Sequence, residues 1–191
     1  MKKGFLGNLE KYDGKVELVE EELKTDLGSE KVIFVGSATD LFGEWVSESK
    51  IKRILDYCRE FSSTYLFQSK NPSRFKNFLE FFPENTVIGT TLETNRKYDV
   101  SQAPQPSERY QKFRALDWSR KMISVEPIMD FDLEKFVSWI KSIDPEFVSI
   151  GADSKSNELV EPSTEKVEDL MNNLREFTEI RKKKNLERLL G

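Results

Sequence analysis

Six short apolar runs, separated from one another by helical patterns, set the rhythm of this chain. Val32–Val35, Thr64–Gln68, Thr86–Thr91, Met122–Val125, Phe147–Ile150 and a weaker run, Thr178–Arg181, have the length and the β-branched or aromatic character of strands. Val32, Ile33, Phe34 and Val35 run into Gly36 with no polar alternation, which predicts a strand covered on both faces. Between the runs the apolar period changes to that of a helix. Ile51, Ile54, Leu55, Cys58 and Phe61 predict a helix over Glu48–Phe61, and Phe75, Phe78, Leu79 and Phe82 predict one from Ser73 to Phe82, entered at Pro72 and stopped by Pro83. A third starts near Ser107 and buries Tyr110, Phe113 and Leu116. Asp132 and Ser163 are placed to cap two more, with stripes Leu133, Phe136, Val137, Ile140, Ile143 and Val167, Leu170, Met171, Leu174, Phe177. Residues 1–30 form a polar, glycine-punctuated lead-in with one short helix expected near Val16–Thr25.

Alternation of this kind implies right-handed crossovers and a parallel sheet. The expected fold is α/β, a partial (β/α) TIM-like barrel of about six parallel strands, in preference to a flat doubly wound sheet. The regular alternation carries that preference, together with polar residues at every strand exit. At 191 residues a single domain over 1–191 is expected.

In parallel α/β proteins ligands gather at the carboxyl ends of the strands. The residues expected there are Ser37 and Asp40 after the first strand, Lys70 after the second, Thr90, Thr91 and Glu93 at the third, Glu126 after the fourth and Asp153 after the fifth. Lys184 follows the sixth. On one barrel rim they make a polar mouth over an apolar interior, suited to an amphipathic ligand: carboxylates for amino or hydroxyl groups, lysines for carboxylate or phosphate. Glu126, locked by Pro127, has two readings, a ligand or ion contact and an internal salt bridge to Lys70 or Arg96. Asp40 serves equally as a turn cap, Asp153 is similarly open, and Thr90 and Thr91 are also ordinary strand residues. Lys97–Pro106, with prolines at 104 and 106, predicts a surface loop over the strand ends.

Composition narrows the chemistry. Thirty Lys and Arg against thirty-four Asp and Glu leave a net charge of −4, so no nucleic-acid partner is expected unless a local basic patch such as Arg181–Lys184 supplies one, and a solvated chain end accounts for that run as well. With no histidine, acid–base work falls to carboxylates, lysines or tyrosines. Cys58 is the one cysteine, which excludes an internal disulfide and a cysteine-clustered metal site made by this chain alone, and its place on a helical apolar stripe predicts a core side chain. A reducing cytoplasm fits this usage. MKKGFLGNLEKYDGK has a basic pair but no apolar core of signal-peptide length, no other run could span a bilayer, and no Walker, dinucleotide or zinc motif is present.

The segments IFVGSATDLFGEWV, TYLFQSKNPSRF, NTVIGTT, SVEPIMDF, VSIGAD and KKKNL occur in this order over about residues 30 to 190. Together they resemble a phage- and archaeal-type family of radical-SAM-like proteins of largely unknown function. The resemblance implies a partial (β/α) barrel whose rim holds S-adenosylmethionine and a [4Fe–4S] cluster, with the cluster reducing the cofactor to methionine and a 5′-deoxyadenosyl radical. Thr90, Thr91, Glu126 and Asp153 match that family's strand-end motifs as contacts for a nucleoside-type cofactor. The cluster needs three thiolates, typically in a CxxxCxxC loop after the first barrel strand, and this chain has no such loop. The resemblance implies that the chain's start falls just after that strand and loop. The expectation is therefore a radical enzyme if an upstream segment supplies the cysteines, or otherwise a cluster-free relative binding a S-adenosylmethionine- or nucleotide-like ligand. The alternative is a non-catalytic scaffold whose open barrel edge is covered by a second copy or another chain.

Overall fold

Parallel pairing in strict chain order is what brings the strand exits together. A computed structural model describes residues 16–37, 39–154 and 157–191. Its strands β1 (Val32–Val35), β2 (Thr64–Ser69), β3 (Thr86–Thr91), β4 (Lys121–Val125), β5 (Phe147–Ile150) and β6 (Glu179–Lys182) pair as neighbours from β1 to β6, every pair parallel. The sheet curls into a half-barrel, with helices on its convex side. These are α1 (Glu48–Arg59), α2 (Pro106–Arg114), α3 (Leu133–Ile143), α4 (Thr164–Arg175) and a terminal α5 (Glu187–Leu190). The partial barrel of six parallel strands expected from the sequence is thus the observed architecture.

Side chains alternate across the sheet with period two, and the register carries that alternation from strand to strand. Tyr65, Phe67, Ile88, Ile123, Val125, Val148 and Ile150 face the helices and meet the stripes of α1, α3 and α4 there. Leu66, Val87, Met122 and Phe147 form a smaller apolar patch on the concave side. Gly89 leaves the space that the Met122 side chain fills. Cys58 is buried on α1, and burial pushes its thiol up to about 12, as suits an inert core residue.

The segment between β2 and β3 is a 3₁₀ helix over Pro72–Phe81, where the spacing predicted an α-helix. Its buried residues, Pro72, Phe75 and Phe78, fall every third position, the period at which 3₁₀ side chains eclipse into one row. That row meets Phe42, whose ring centroid lies 4.6 Å from Phe75 and 5.8 Å from both Phe78 and Phe82. Trp118 closes the cluster 5.5 Å from Phe82, its indole N–H donating to the Thr86 carbonyl at 3.0 Å.

Three local expectations are corrected. The helix expected near Val16–Thr25 is a single 3₁₀ turn, Glu22–Lys24, with no buried residue, so no packed face supports a longer helix there. The lead-in before residue 16 lies outside the described residues. The first strand is not covered on both faces: Val32 is 78% and Phe34 45% exposed, while Ile33 and Val35 pack on the core. Among the described residues β1 is an edge strand with a neighbour on one side only, so its concave-side residues lack the cross-strand cover enjoyed by β3 and β4. Asp132 precedes α3 without a side-chain capping bond, because Arg96 takes its carboxylate through Nε at 2.9 Å and Nη2 at 2.6 Å. Ser163 does cap α4, accepting from the Lys166 N–H.

Truncating Phe42 to Ala should destabilise the protein by about 3–5 kcal/mol, because a ring enclosed by other aromatic side chains leaves a cavity. Val32→Ser, on the exposed face of β1, should stay within about 0.5 kcal/mol. Urea unfolding of the two variants checks the contrast, and equal effects would contradict the burial described for them.

Candidate functional site

The register places one polar row across the concave face near the carboxyl ends of the strands. Thr91 pairs with Ser124, Ser124 with Ser149, and Ser149 with Arg181. Thr91 accepts from Gln68 Nε2 at 2.9 Å. Ser124 and Ser149, exposed by only 5% and 7%, have hydroxyls without a hydrogen-bond partner among the described residues. Arg181 ends the row with its guanidinium 3.5 Å from the centroid of the Phe147 ring, while Glu179 accepts from its Nε at 2.8 Å.

One step further along the strands come the charged exits. Glu93 is nearly buried between two cations: Arg109 Nη2 donates to one carboxylate oxygen at 2.6 Å, and Lys70 Nζ lies 2.7 Å from the other. Arg109 also donates to the Thr91 carbonyl at 2.5 Å, which ties α2 to the end of β3. Burial works to raise the Glu93 carboxyl, but the charges and hydrogen bonds of Arg109 and Lys70 outweigh it and hold the group below the usual carboxylate range. Glu126 accepts from Asn185 Nδ2 at 3.0 Å, with Lys183 Nζ 3.9 Å from its other oxygen. Asn185 also donates to the Ala152 carbonyl at 2.7 Å, and its own Oδ1 is buried with no donor. Gly151 makes this possible, because a Cβ there would stand 2.7 Å from Glu126 Oε1 and 2.9 Å from Asn185 Oδ1.

The partners expected for Glu126 are therefore replaced. Lys70 belongs to Glu93, and Arg96 is held by Asp130 and Asp132. Lys166 completes that group at 2.6 Å from Asp130. Burial works to raise the Asp130 carboxyl, but Lys166 and Arg96 hold it low.

Of the residues expected on the rim, Thr91, Glu93 and Glu126 share the concave side of neighbouring strand ends. Lys70 joins them through Glu93. Thr90 faces the helices, its hydroxyl donating to the Ser69 carbonyl at 2.8 Å. Asp40 accepts from the backbone N–H of Lys70 at 2.8 Å and of Phe42 at 3.1 Å, clasping the first two strand exits. Ser37 is exposed on the turn after β1. Asp153 accepts from Asn157 Nδ2 at 2.7 Å, and its carbonyl accepts from Arg188 at 3.2 Å. Lys184 opens the short 3₁₀ turn Lys184–Leu186 and is exposed.

Arg109, Asn185, Ser124 and Ser149 were not singled out from the sequence. A signal existed for the serines, since each interrupts a buried apolar run one pleat before an exit residue. None existed for Arg109, which sits in a polar helical pattern indistinguishable from a solvated face.

The loop expected over the strand ends lines a cleft of about 390 Å³, whose ionic residues are Lys70, Glu93 and Arg109. Tyr98, Val100 and Pro104 come from the loop, and Met129 and Leu159 from beyond β4 and β5. Among the described residues no group of three or more metal-binding side chains is found, and no helix is long and apolar enough to cross a membrane.

Residues 2–158 match the profile of the family described as "Protein of unknown function (DUF5131)". No curated protein and no solved structure matches the chain.

Glu93→Gln should destabilise the protein by about 3–5 kcal/mol at neutral pH, because it leaves Arg109 buried without its counter-ion. A carboxyl lowered by folding contributes stability that is present above its unfolded value, about 4.3, and is lost as pH falls through its folded value. Urea midpoints of the native protein should therefore fall below about pH 4.3, and more gently in the Gln variant. Parallel pH profiles would show that Glu93 does not titrate as described.

Proposed function

The chain belongs to the DUF5131 family, and from that premise we propose that it is a radical-SAM-like half-barrel that binds a S-adenosylmethionine- or nucleotide-like ligand at the carboxyl rim of its strands. The observation that carries this reading is the row Thr91, Ser124, Ser149, whose two serine hydroxyls have no hydrogen-bond partner among the described residues, beneath Glu126 and the buried, donor-less Asn185 Oδ1. Buried polar atoms are ordinarily satisfied, and a ribose or amino group supplies the donors that such acceptors lack. Met122 and Phe147, one pleat deeper, offer an apolar floor for the rest of the ligand. The expected contacts are Thr91, Glu93, Glu126 and Lys70. Ser37, Asp40, Thr90 and Asp153 belong to this reading as rim residues that shape the turns around the site.

S-adenosylmethionine supplies a sulfonium centre whose carbon–sulfur bonds are activated toward transfer or cleavage. This chain's part is to orient the nucleoside and to keep water from one side of it. A [4Fe–4S] cluster does not fit the residues present: Cys58 is the one cysteine, and it is buried on α1 with its thiol pushed up to about 12. The chain's role as an enzyme would rest on ligands supplied from elsewhere, in a reducing cytoplasm.

Calorimetry with S-adenosylmethionine, S-adenosylhomocysteine and ATP tests the reading. At least one should bind, and Ser124→Ala and Ser149→Ala should each weaken it by about 3- to 10-fold, the worth of one hydrogen bond. No heat with any of the three removes the proposal.

A second reading, a scaffold closed by another copy, has its own observation in the edge of β1, unpaired among the described residues, with exposed Val32 and Phe34. Sedimentation velocity should then show a concentration-dependent dimer that Phe34→Lys dissociates. A monomer at the highest soluble concentration would dispose of it.

A further inference from the structure

The cleft under the Lys97–Pro106 loop is a second candidate pocket, and none of Thr91, Ser124, Ser149 or Glu126 lines it. Its charge is unbalanced. Among the described residues that line it only Lys70, Glu93 and Arg109 are ionic. Arg109 and Glu93, with side chains 3% and 9% exposed and 2.6 Å apart, already form a neutral buried pair. Lys70 is therefore a surplus cation. Its side chain is 40% exposed, and only one of its three ammonium donors is directed at Glu93. The remaining walls combine an apolar set, Val100, Pro104, Met129 and Leu159 with the Tyr98 ring, with the polar side chains of Thr94, Ser101, Gln105 and Asn157. The cleft volume, about 390 Å³, is that of a small-molecule site.

We infer that this cleft recognises a small apolar carboxylate, whose anionic end meets Lys70 Nζ and whose hydrocarbon part lies against Val100, Pro104, Met129 and Leu159. The charge selects the class. A neutral ligand offers no counter-charge to the ammonium donors of Lys70 that Glu93 leaves free, and a cationic one adds repulsion, whereas one carboxylate completes a neutral set of four groups. Glu93 has a positioning role, because with Arg109 fixed to the end of β3 it holds Lys70 at the mouth instead of letting it extend into water. The inference shares Lys70 and Glu93 with the nucleoside reading but rests on the cleft beneath the loop, which the serine row does not line.

The test is an NMR titration of the full chain with benzoate, benzamide, benzylamine and phenyl phosphate. Benzoate should saturate a site shifting the resonances of the Lys97–Pro106 loop, with benzamide and benzylamine at least about tenfold weaker. Lys70→Met should lose about tenfold in benzoate affinity with an unchanged thermal midpoint, since the lysine is exposed and the buried pair stays intact. Pro104→Glu, at the loop, should lose it equally. Ser124→Ala and Ser149→Ala should keep benzoate binding whether or not they bind S-adenosylmethionine, which separates this outcome from that of the nucleoside site. Benzamide binding as tightly as benzoate, unchanged benzoate binding by Lys70→Met, a tenfold preference for phenyl phosphate, or no saturable binding would each overturn the inference.

Discussion

The hydrogen-bonded register between neighbouring parallel strands is the constraint on which everything else rests. Because the strands pair in chain order, each ladder fixes which residue of one strand stands beside which of the next. Ile88, Ile123 and Val148 are committed to the helix side by the same bonds that commit Thr91, Ser124 and Ser149 to the concave side. A slip of one residue in any pair would put apolar side chains into the concave row and hydroxyls against the helices. The large aromatic and aliphatic core on the convex side opposes such a slip, so hydrophobic packing on one face specifies the polar arrangement on the other.

Three of the acids at the strand exits are held by groups from later elements. Glu93 takes Arg109 from α2, Asp130 takes Lys166 from α4, and Glu126 takes Asn185 and Lys183 from the segment after β6. A buried ion pair adds little over apolar packing, yet losing one partner is expensive. The consequence is geometric: these pairs hold the helices and the last segment in fixed places relative to the exits. The rim remains polar without becoming loose, and Lys70 is left as an accessible positive charge beside an already neutral pair.

Much of this was legible in the chain. The boundaries of β3 and β5 coincide with the apolar runs read from sequence, and α1, α3 and α4 follow their stripes. Unbroken apolar runs flanked by helical periods have few other solutions. The misreadings share one cause. β1 has the composition of a buried strand but lies at the edge, Asp132 has the position of a cap but is drawn to Arg96, and Glu126 meets Asn185 rather than Lys70 or Arg96. Each outcome depended on a residue far away in sequence.

The chain by itself determined the kind of element at most positions, the parallel alternation and the collection of polar residues at strand exits, because side-chain period and turn chemistry act over a few residues. Only the tertiary structure decided which face each exit residue took, which cation each acid met and which hydroxyls lacked partners. Those outcomes follow from strand order, register and the approach of helices 16 to 59 residues away, as between Glu93 and Arg109 or Glu126 and Asn185. Local propensity carries no information about such distances, and burial makes them decisive.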